Sequence, residues 1–196
     1  MRKLPETNLY LALIHYPVVN KNGQIIASAV TNLDLHDIAR AAKTYGVKKY
    51  YIITPIDDQK KLVKKITAHW THGVGAEFNP LRREALELIT VRSSLEEVLD
   101  EMGQRELKKI RLVVTSAKKN QNSLSYSDFR DMLNIKNDNQ YILLFGTAWG
   151  LAKEVIEKAD YVLEPISGNT PYNHLSVRSA AAIIMDRLLG NHGLSS

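Results

Sequence analysis

Short apolar runs separated by amphipathic stretches constrain this chain more than any other feature. LYLALIHY (Leu9 to Tyr16), KKYYIIT (Lys48 to Thr54), ITVRS (Ile89 to Ser93), IRLVVTS (Ile110 to Ser116), QYILLFG (Gln140 to Gly146) and DYVLEP (Asp160 to Pro165) are rich in Ile, Leu, Val and Tyr. Several are apolar at nearly every position, as strands covered on both faces should be. Between them apolar residues recur at helical spacing. Leu35, Ile38, Ala39, Ala42 and Tyr45 form one stripe, closed by Gly46 as a C-terminal cap. Leu62, Val63, Ile66 and Trp70 form a second. Leu95, Val98, Leu99 and Met102 form a third, behind Ser93, Ser94, Glu96 and Glu97, a capping-box pattern. Leu151, Val155 and Ile156 make a fourth, and a last helix runs from about Leu175 to Leu189. Strands alternating with helices predict an α/β fold, a mainly parallel sheet flanked by helices. The segment Pro17 to Asn32, with its Asn22-Gly23 turn, reads as a long loop or an irregular hairpin.

No internal repeat or compositional break divides the 196 residues, so one domain spanning 1–196 is expected. Hydrophobic residues make up 44%, and charged residues 24%, which is ordinary for a water-soluble globular chain. There is no cysteine, which excludes a disulfide framework and a thiolate metal site and fits the cytoplasm. Arg2 and Lys3 precede an apolar stretch, but Pro5, Glu6 and the shortness of Leu9 to Ile14 argue for a first buried strand over a signal peptide. No run approaches the length of a membrane span. The net charge of +5 permits a polyanionic partner without requiring one. Basic residues group at Lys60, Lys61, Lys64 and Lys65, at Arg82 and Arg83, at Lys108, Lys109 and Arg111, and at Lys118 and Lys119. Each group alone reads as a solvated surface; together they favour phosphate contacts.

Familiar nucleotide signatures are missing. No GxxxxGK[ST] is present, and the GxG at Gly73 and Gly75 has Phe78 where a third glycine belongs. His69 and His72 lack a third ligand, so no metal site is expected. Two loops stand out instead. FGTAWGL (Phe145 to Leu151) ends an apolar strand and opens a helix, and its glycines permit close backbone approach to a flat ligand. The next strand is followed by a loop carrying Ser167, Gly168, Asn169, Thr170, Tyr172, Asn173 and His174. Two such loops after successive strands are where an α/β protein places a ligand.

The sequences FGTAWGL, EPISG and YNHLSVRSAAAI resemble the second and third motifs of the SPOUT superfamily of RNA methyltransferases. DLHDIARAAKTYGV (Asp34 to Val47) resembles the first motif, with Arg40, Ala42 and Gly46 at the matching places. The chain as a whole is similar to a small bacterial branch related to the tRNA guanine-N1 methyltransferases. The resemblance implies a C-terminal trefoil knot, S-adenosyl-L-methionine (SAM) bound in the knotted loops, an RNA substrate (tRNA or rRNA), a homodimer and no membrane or metal. It places the cofactor against Thr115, Ser116, Phe145, Gly146, Thr147, Gly150, Leu163, Pro165, Ile166, Gly168, Leu175 and Ser176. It makes Arg40, Asn173 and His174 the catalytic candidates. Three departures from the ribose-methylating branch leave base and ribose both open as acceptors: Asp34 stands where that branch has Asn, His174 falls where its third-motif Asn belongs with Asn173 adjacent, and FGTAWGL lacks the glutamate common in its second motif.

SAM carries the activated methyl, so the protein must align the acceptor and take its proton. Guanidinium stays protonated, which suits Arg40 to a phosphate clamp rather than a base. Imidazole titrates near neutrality, which favours His174, with Asp34 or Asp37 as alternatives. Tyr172 and Trp149 are candidates to stack on a base. The competing readings are a non-catalytic SAM- or RNA-binding module and an α/β protein holding another nucleotide.

Overall fold

The apolar runs become the strands of one sheet. A computed structural model of the chain describes residues 7–105, 109–118, 122–135 and 138–191. Arg2, Lys3, Pro5, Glu6, Lys108 and Lys119, named above, lie outside the described residues. Strands β1 (Leu9–Ile14), β4 (Tyr50–Ile53), β5 (Ile89–Arg92), β6 (Lys109–Thr115), β7 (Asn139–Gly146) and β8 (Tyr161–Leu163) form a sheet in the order β5-β4-β1-β7-β6-β8. All five neighbouring pairs are parallel. A small antiparallel hairpin, β2 (Val18–Val19) and β3 (Ile25–Ile26), fills the segment read as a loop or hairpin. Gly23 makes its turn at φ +77°.

Helices cover both faces, which explains the continuous apolar runs. Leu9, Leu11 and Leu13 of β1 enter one apolar layer, and Tyr10, Ala12 and Ile14 the other. The first layer meets α1 (Asn32–Thr44), α2 (Asp57–Thr71), α4 (Pro80–Leu86), α6 (Tyr126–Asn134) and α8 (Val177–Leu189) through Leu35, Val63, Leu86, Phe129 and Met185. The second meets α5 (Leu95–Arg105) and α7 (Lys153–Glu157) through Val98, Met102 and Val155. Each fully buried Leu, Ile or Phe contributes roughly 1.5–3 kcal/mol.

Local signals act as expected at several termini. Ser94 Oγ accepts from Glu97 N at 3.3 Å, and the Glu97 carboxylate accepts from Ser93 N at 2.7 Å, closing the predicted capping box. Gly46 adopts φ +72° one residue past the C-cap of α1. Other positions differ. Leu62 is 43% exposed, because α2 turns Val63, Ile66 and Trp70 inward and leaves Leu62 at the stripe's edge. Leu151 is not helical; it bridges Val18, and α7 begins only at Lys153. Three helices had no stripe to announce them: α3 (Val74–Phe78), α4 and α6. The signals of α4 and α6 are caps, whereas α3 has no side-chain cap. Asn79 accepts from Arg82 N at 3.0 Å ahead of Pro80, and Ser125 accepts from Asp128 N at 3.1 Å.

Candidate active site

The parallel sheet brings the C-terminal ends of β1, β6, β7 and β8 to one rim. There β7 passes into α7 through a tight turn with Ala148 at φ +51° and Gly150 at φ +113°. The β2 strand pins this turn from outside: Trp149 N donates to Val19 O, and Val19 N to Gly150 O, each at 3.0 Å. Thr147 Oγ1 donates to Ile14 O at 3.1 Å and pins it from inside.

The glycines divide into two roles. A Cβ on Gly146 would lie 2.7 Å from Leu151 N, so its missing side chain makes room for the turn itself rather than for a ligand. A Cβ on Gly150 or on Gly168 would meet no atom within 4 Å. Both backbones therefore face open space, as a closely approached flat cofactor requires.

The segment after β6 is stitched to β8. Leu124 N donates to Val162 O at 2.8 Å, Glu164 N to Leu124 O at 2.9 Å, and Tyr126 N to the Glu164 carboxylate at 2.9 Å. Asn173 Nδ2 then reaches across to Ala117 O at 3.1 Å, tying the loop after β8 to the end of β6. Thr115 Oγ1 is held by Leu144 O at 2.9 Å, and Ser116 Oγ by Lys118 N at 3.0 Å. Ser176 caps α8, accepting from Ser179 N at 3.2 Å.

The predicted cofactor residues thus gather at one rim with unequal freedom. Phe145 and Leu163 are buried in the core, so only their backbone can meet a ligand. Thr115, Ser116, Gly146, Thr147, Gly150, Pro165 and Ile166 are half-buried, and Gly168, Leu175 and Ser176 are exposed.

Of the catalytic candidates, Asn173 and His174 belong to this rim and Arg40 does not. The His174 ring lies 6.3 Å from Trp149 and 6.4 Å from Tyr172, centroid to centroid, and all three side chains face solvent. Arg40 is exposed on α1 and forms no salt bridge with a described residue. Asp34 and Asp37 are engaged: Arg178 of α8 lies 3.5 Å from Asp34 and 3.1 Å from Asp37. Asp34 also accepts from Thr31 Oγ1 at 2.6 Å at the head of α1. These contacts make Asp34 a tie between α1 and α8 rather than a free base. His36 packs edge-on against Trp70 at 5.6 Å, and burial, then the Arg82 and Arg40 charges, lower its pKa.

One polar pair escaped the sequence reading. His15, just beyond β1, is fully buried, with Nδ1 2.9 Å from Ser28 Oγ. Burial pushes its pKa down to about 4. The only sequence signal was an imidazole inside an otherwise apolar run.

Two concavities open farther along the rim, and the predicted cofactor residues line neither. One of about 360 Å³ lies among Tyr16, Pro17, Pro55, Leu95 and Val155, and one of about 710 Å³ among Lys60, Lys64, Arg92 and Glu101. The loops after β7 and β8, with Trp149, Gly168 and Tyr172 exposed, form an open ledge. The basic groups are partly neutralised: Lys60 pairs with Asp57, Lys61 with Asp58, Arg83 with Glu87 and Arg111 with Asp160. Lys64, Lys65, Lys109 and Lys118 are exposed and form no salt bridge with a described residue. Among the described residues, no helix is long and apolar enough to cross a membrane, and no cluster of three or more His, Asp or Glu side chains is placed to hold a metal.

Known proteins fit this geometry. A family model described as SAM-dependent RNA methyltransferase matches residues 8–190. A protein of Oleidesulfovibrio alaskensis named tRNA (guanine-N(1)-)-methyltransferase is 46% identical over 97% of this chain but only 44% of its own length. One of the same name from Nitratidesulfovibrio vulgaris is 44% identical, over 97% of this chain and 44% of its own length. The chain therefore spans less than half of these relatives. An uncharacterised protein of Aquifex aeolicus is 39% identical and covered over 90% of its length. Among solved structures, a probable methylase family protein from Haemophilus influenzae superposes with a TM-score of 0.60 at 18% identity, covering 92% of this chain and 64% of that one. The SpoU methyltransferase AviRb from Streptomyces viridochromogenes, in complex with AdoMet (SAM), gives 0.53 at 17% identity, covering 95% of this chain and 58% of that one. The fold is that of the SpoU methyltransferases, and the chain belongs to the SAM-dependent RNA methyltransferase family.

Proposed function

We propose that this SAM-dependent RNA methyltransferase acts on tRNA, with its site at the rim where β6, β7 and β8 end. The observation that carries the site is the pair of loops whose glycine backbones at Gly150 and Gly168 face open space, joined through Asn173 to the end of β6. The names of the two longer relatives support tRNA as substrate. When bound, SAM supplies the activated methyl group. Backbone groups of Gly146 to Gly150 and of Leu163 to Gly168 hold it, with Thr115, Ser116, Leu175 and Ser176 on the remaining sides. Trp149 and Tyr172 stack on the target nucleotide, and His174 between them takes the proton of the acceptor. Asn173 keeps that loop at the end of β6.

The ledge is open in one chain, and we assign its missing wall to a second copy. The exposed α1 stripe of Leu33, Asp37 and Arg40 lies beside α8, where Ala180, Ala182 and Ile183 are only half-buried. A homodimer formed on this face would bring Arg40 to the partner's ledge as a phosphate clamp. We further assign to the chain the C-terminal trefoil knot of the SPOUT fold and a place in the cytoplasm beside its RNA. Nucleoside mass spectrometry of tRNA incubated with the purified protein and SAM tests the reaction and separates base from ribose. A new methylated nucleoside in tRNA is the expected result, and label confined to rRNA would overturn the choice of substrate. Light scattering tests the dimer, which a strictly monomeric protein at tens of micromolar would exclude.

A further inference from the structure

Polar groups at the end of β1 form a hydrogen-bond chain whose direction can be worked out. Thr147 Oγ1 donates to Ile14 O at 3.1 Å. A hydroxyl has one hydrogen, so Thr147 must accept in its short contact with Ser28 Oγ. Ser28 thereby spends its own hydrogen on Thr147. Its other acceptor, His15 O at 3.5 Å, is at the limit of a hydrogen bond and loses that competition. At the 2.9 Å contact between Ser28 Oγ and His15 Nδ1, the imidazole is therefore the donor. His15 carries its proton on Nδ1, and Nε2 is a bare acceptor, buried without a hydrogen-bond partner among the described residues. The depressed pKa keeps this ring neutral at physiological pH.

The chain joins three segments far apart in sequence. Ser28 follows the β2–β3 hairpin and is anchored again by its N–H, which donates to His15 O at 2.8 Å. Thr147 is the first residue of the turn that ends at Gly150. The same hairpin grips the turn's far side through Val19.

We propose that His15 is a positioning residue for the cofactor turn, acting through the one-way chain from His15 through Ser28 and Thr147 to Ile14 O. The inference rests on the reading of the Thr147–Gly150 turn as part of the SAM site. Two consequences follow. Thr147 has no hydroxyl hydrogen left to give a ligand, so the turn meets SAM through its backbone. Loss of the Nδ1 donor leaves Ser28 free to turn toward His15 O and releases the turn.

The test measures the Kd for SAM by calorimetry and the KM for SAM by methyl transfer to RNA. His15→Leu and Ser28→Ala should each raise both by about tenfold, with kcat changed less than about twofold. The double variant should be no worse than either single one, because the two act in one chain. His15→Asn, whose amide can donate from near the place of Nδ1, should restore most of the affinity. Nitrogen NMR of the wild type should show the Nδ1–H tautomer at neutral pH. If His15→Leu fails to fold, Ser28→Ala carries the test, since Ser28 is only half-buried. An Nε2–H tautomer, or unchanged SAM affinity in Ser28→Ala beside normal wild-type binding, overturns this inference alone. A wild type that binds no SAM overturns the site itself and this inference with it.

Discussion

Adding one methyl group at Gly146 and at Gly150 should have opposite consequences, although the two glycines bound the same turn. At Gly146 the new Cβ would lie 2.7 Å from Leu151 N, 2.9 Å from Leu151 Cγ and 3.0 Å from the Gly150 carbonyl carbon. Two of these are backbone atoms of a turn held on both sides by hydrogen bonds, so the turn itself must shift. Such overpacking costs about 1–3 kcal/mol. At Gly150 the new Cβ touches nothing, and the cost is the φ of +113°, about 1–3 kcal/mol of backbone strain. The methyl then stands in the space assigned to the cofactor. Urea denaturation with and without SAM separates the two effects, because a ligand at a hundredfold excess over its Kd adds about 2.7 kcal/mol to the folded state. Gly146→Ala should lose stability whether or not SAM is present. Gly150→Ala should remain folded but lose most of the SAM-induced increment. A Gly150→Ala protein that SAM stabilises as fully as the wild type would refute the placement of the cofactor beside that turn.

Acidification should destabilise the protein through His15. Its neutral form belongs to the native state, whereas the unfolded chain takes up a proton below its ordinary pKa of 6.5. Stability is therefore complete above pH 6.5 and declines as pH falls toward about 4, by at most about 3 kcal/mol from this group. Comparing denaturation midpoints of wild type and His15→Asn between about pH 7.5 and about pH 4.5 isolates this contribution, and parallel curves would contradict it. Arg40→Ala should leave SAM affinity nearly unchanged while methyl transfer falls by at least about tenfold, the loss of a charge-assisted phosphate contact. Equal turnover in that variant would return Arg40 to an ordinary surface role. Lys118→Gln, beside the Ala117 carbonyl that anchors Asn173, should weaken RNA binding and lower the slope of log affinity against log salt by about one. An unchanged slope in filter-binding or fluorescence titration would remove Lys118 from the RNA path.

Much of the fold was legible because the central strands are buried on both faces and so are apolar at nearly every position, as Leu9 to Ile14 and Tyr141 to Phe145 show. Periodicity failed where elements were short. The five residues of α3 are too few to display a stripe, the fourth stripe overran the start of α7 by including Leu151, and α6 presents only Tyr126 and Phe129 as buried residues. The order of strands was not legible at all. That β7 inserts between β1 and β6 is a long-range pairing, and nothing in the local pattern of Gln140 to Gly146 encodes its neighbours. The same limit hid part of the site. Gly146 and Gly150 look equivalent in FGTAWGL, and only the turn geometry separates the one that packs from the one that faces open space. Asp34 looked available for acid–base work until α8 brought Arg178 against it. His15 gave no motif, because its partners Ser28 and Thr147 are 13 and 119 residues apart from the next member of the chain.

The most direct measurement is transfer of tritiated methyl from SAM to tRNA by the purified wild-type protein and by Gly150→Ala. The account predicts label in the RNA with the wild type, and a deep loss with Gly150→Ala at unchanged RNA binding. Transfer that is equal in both proteins, or absent from a wild type saturated with SAM and tRNA, would contradict it.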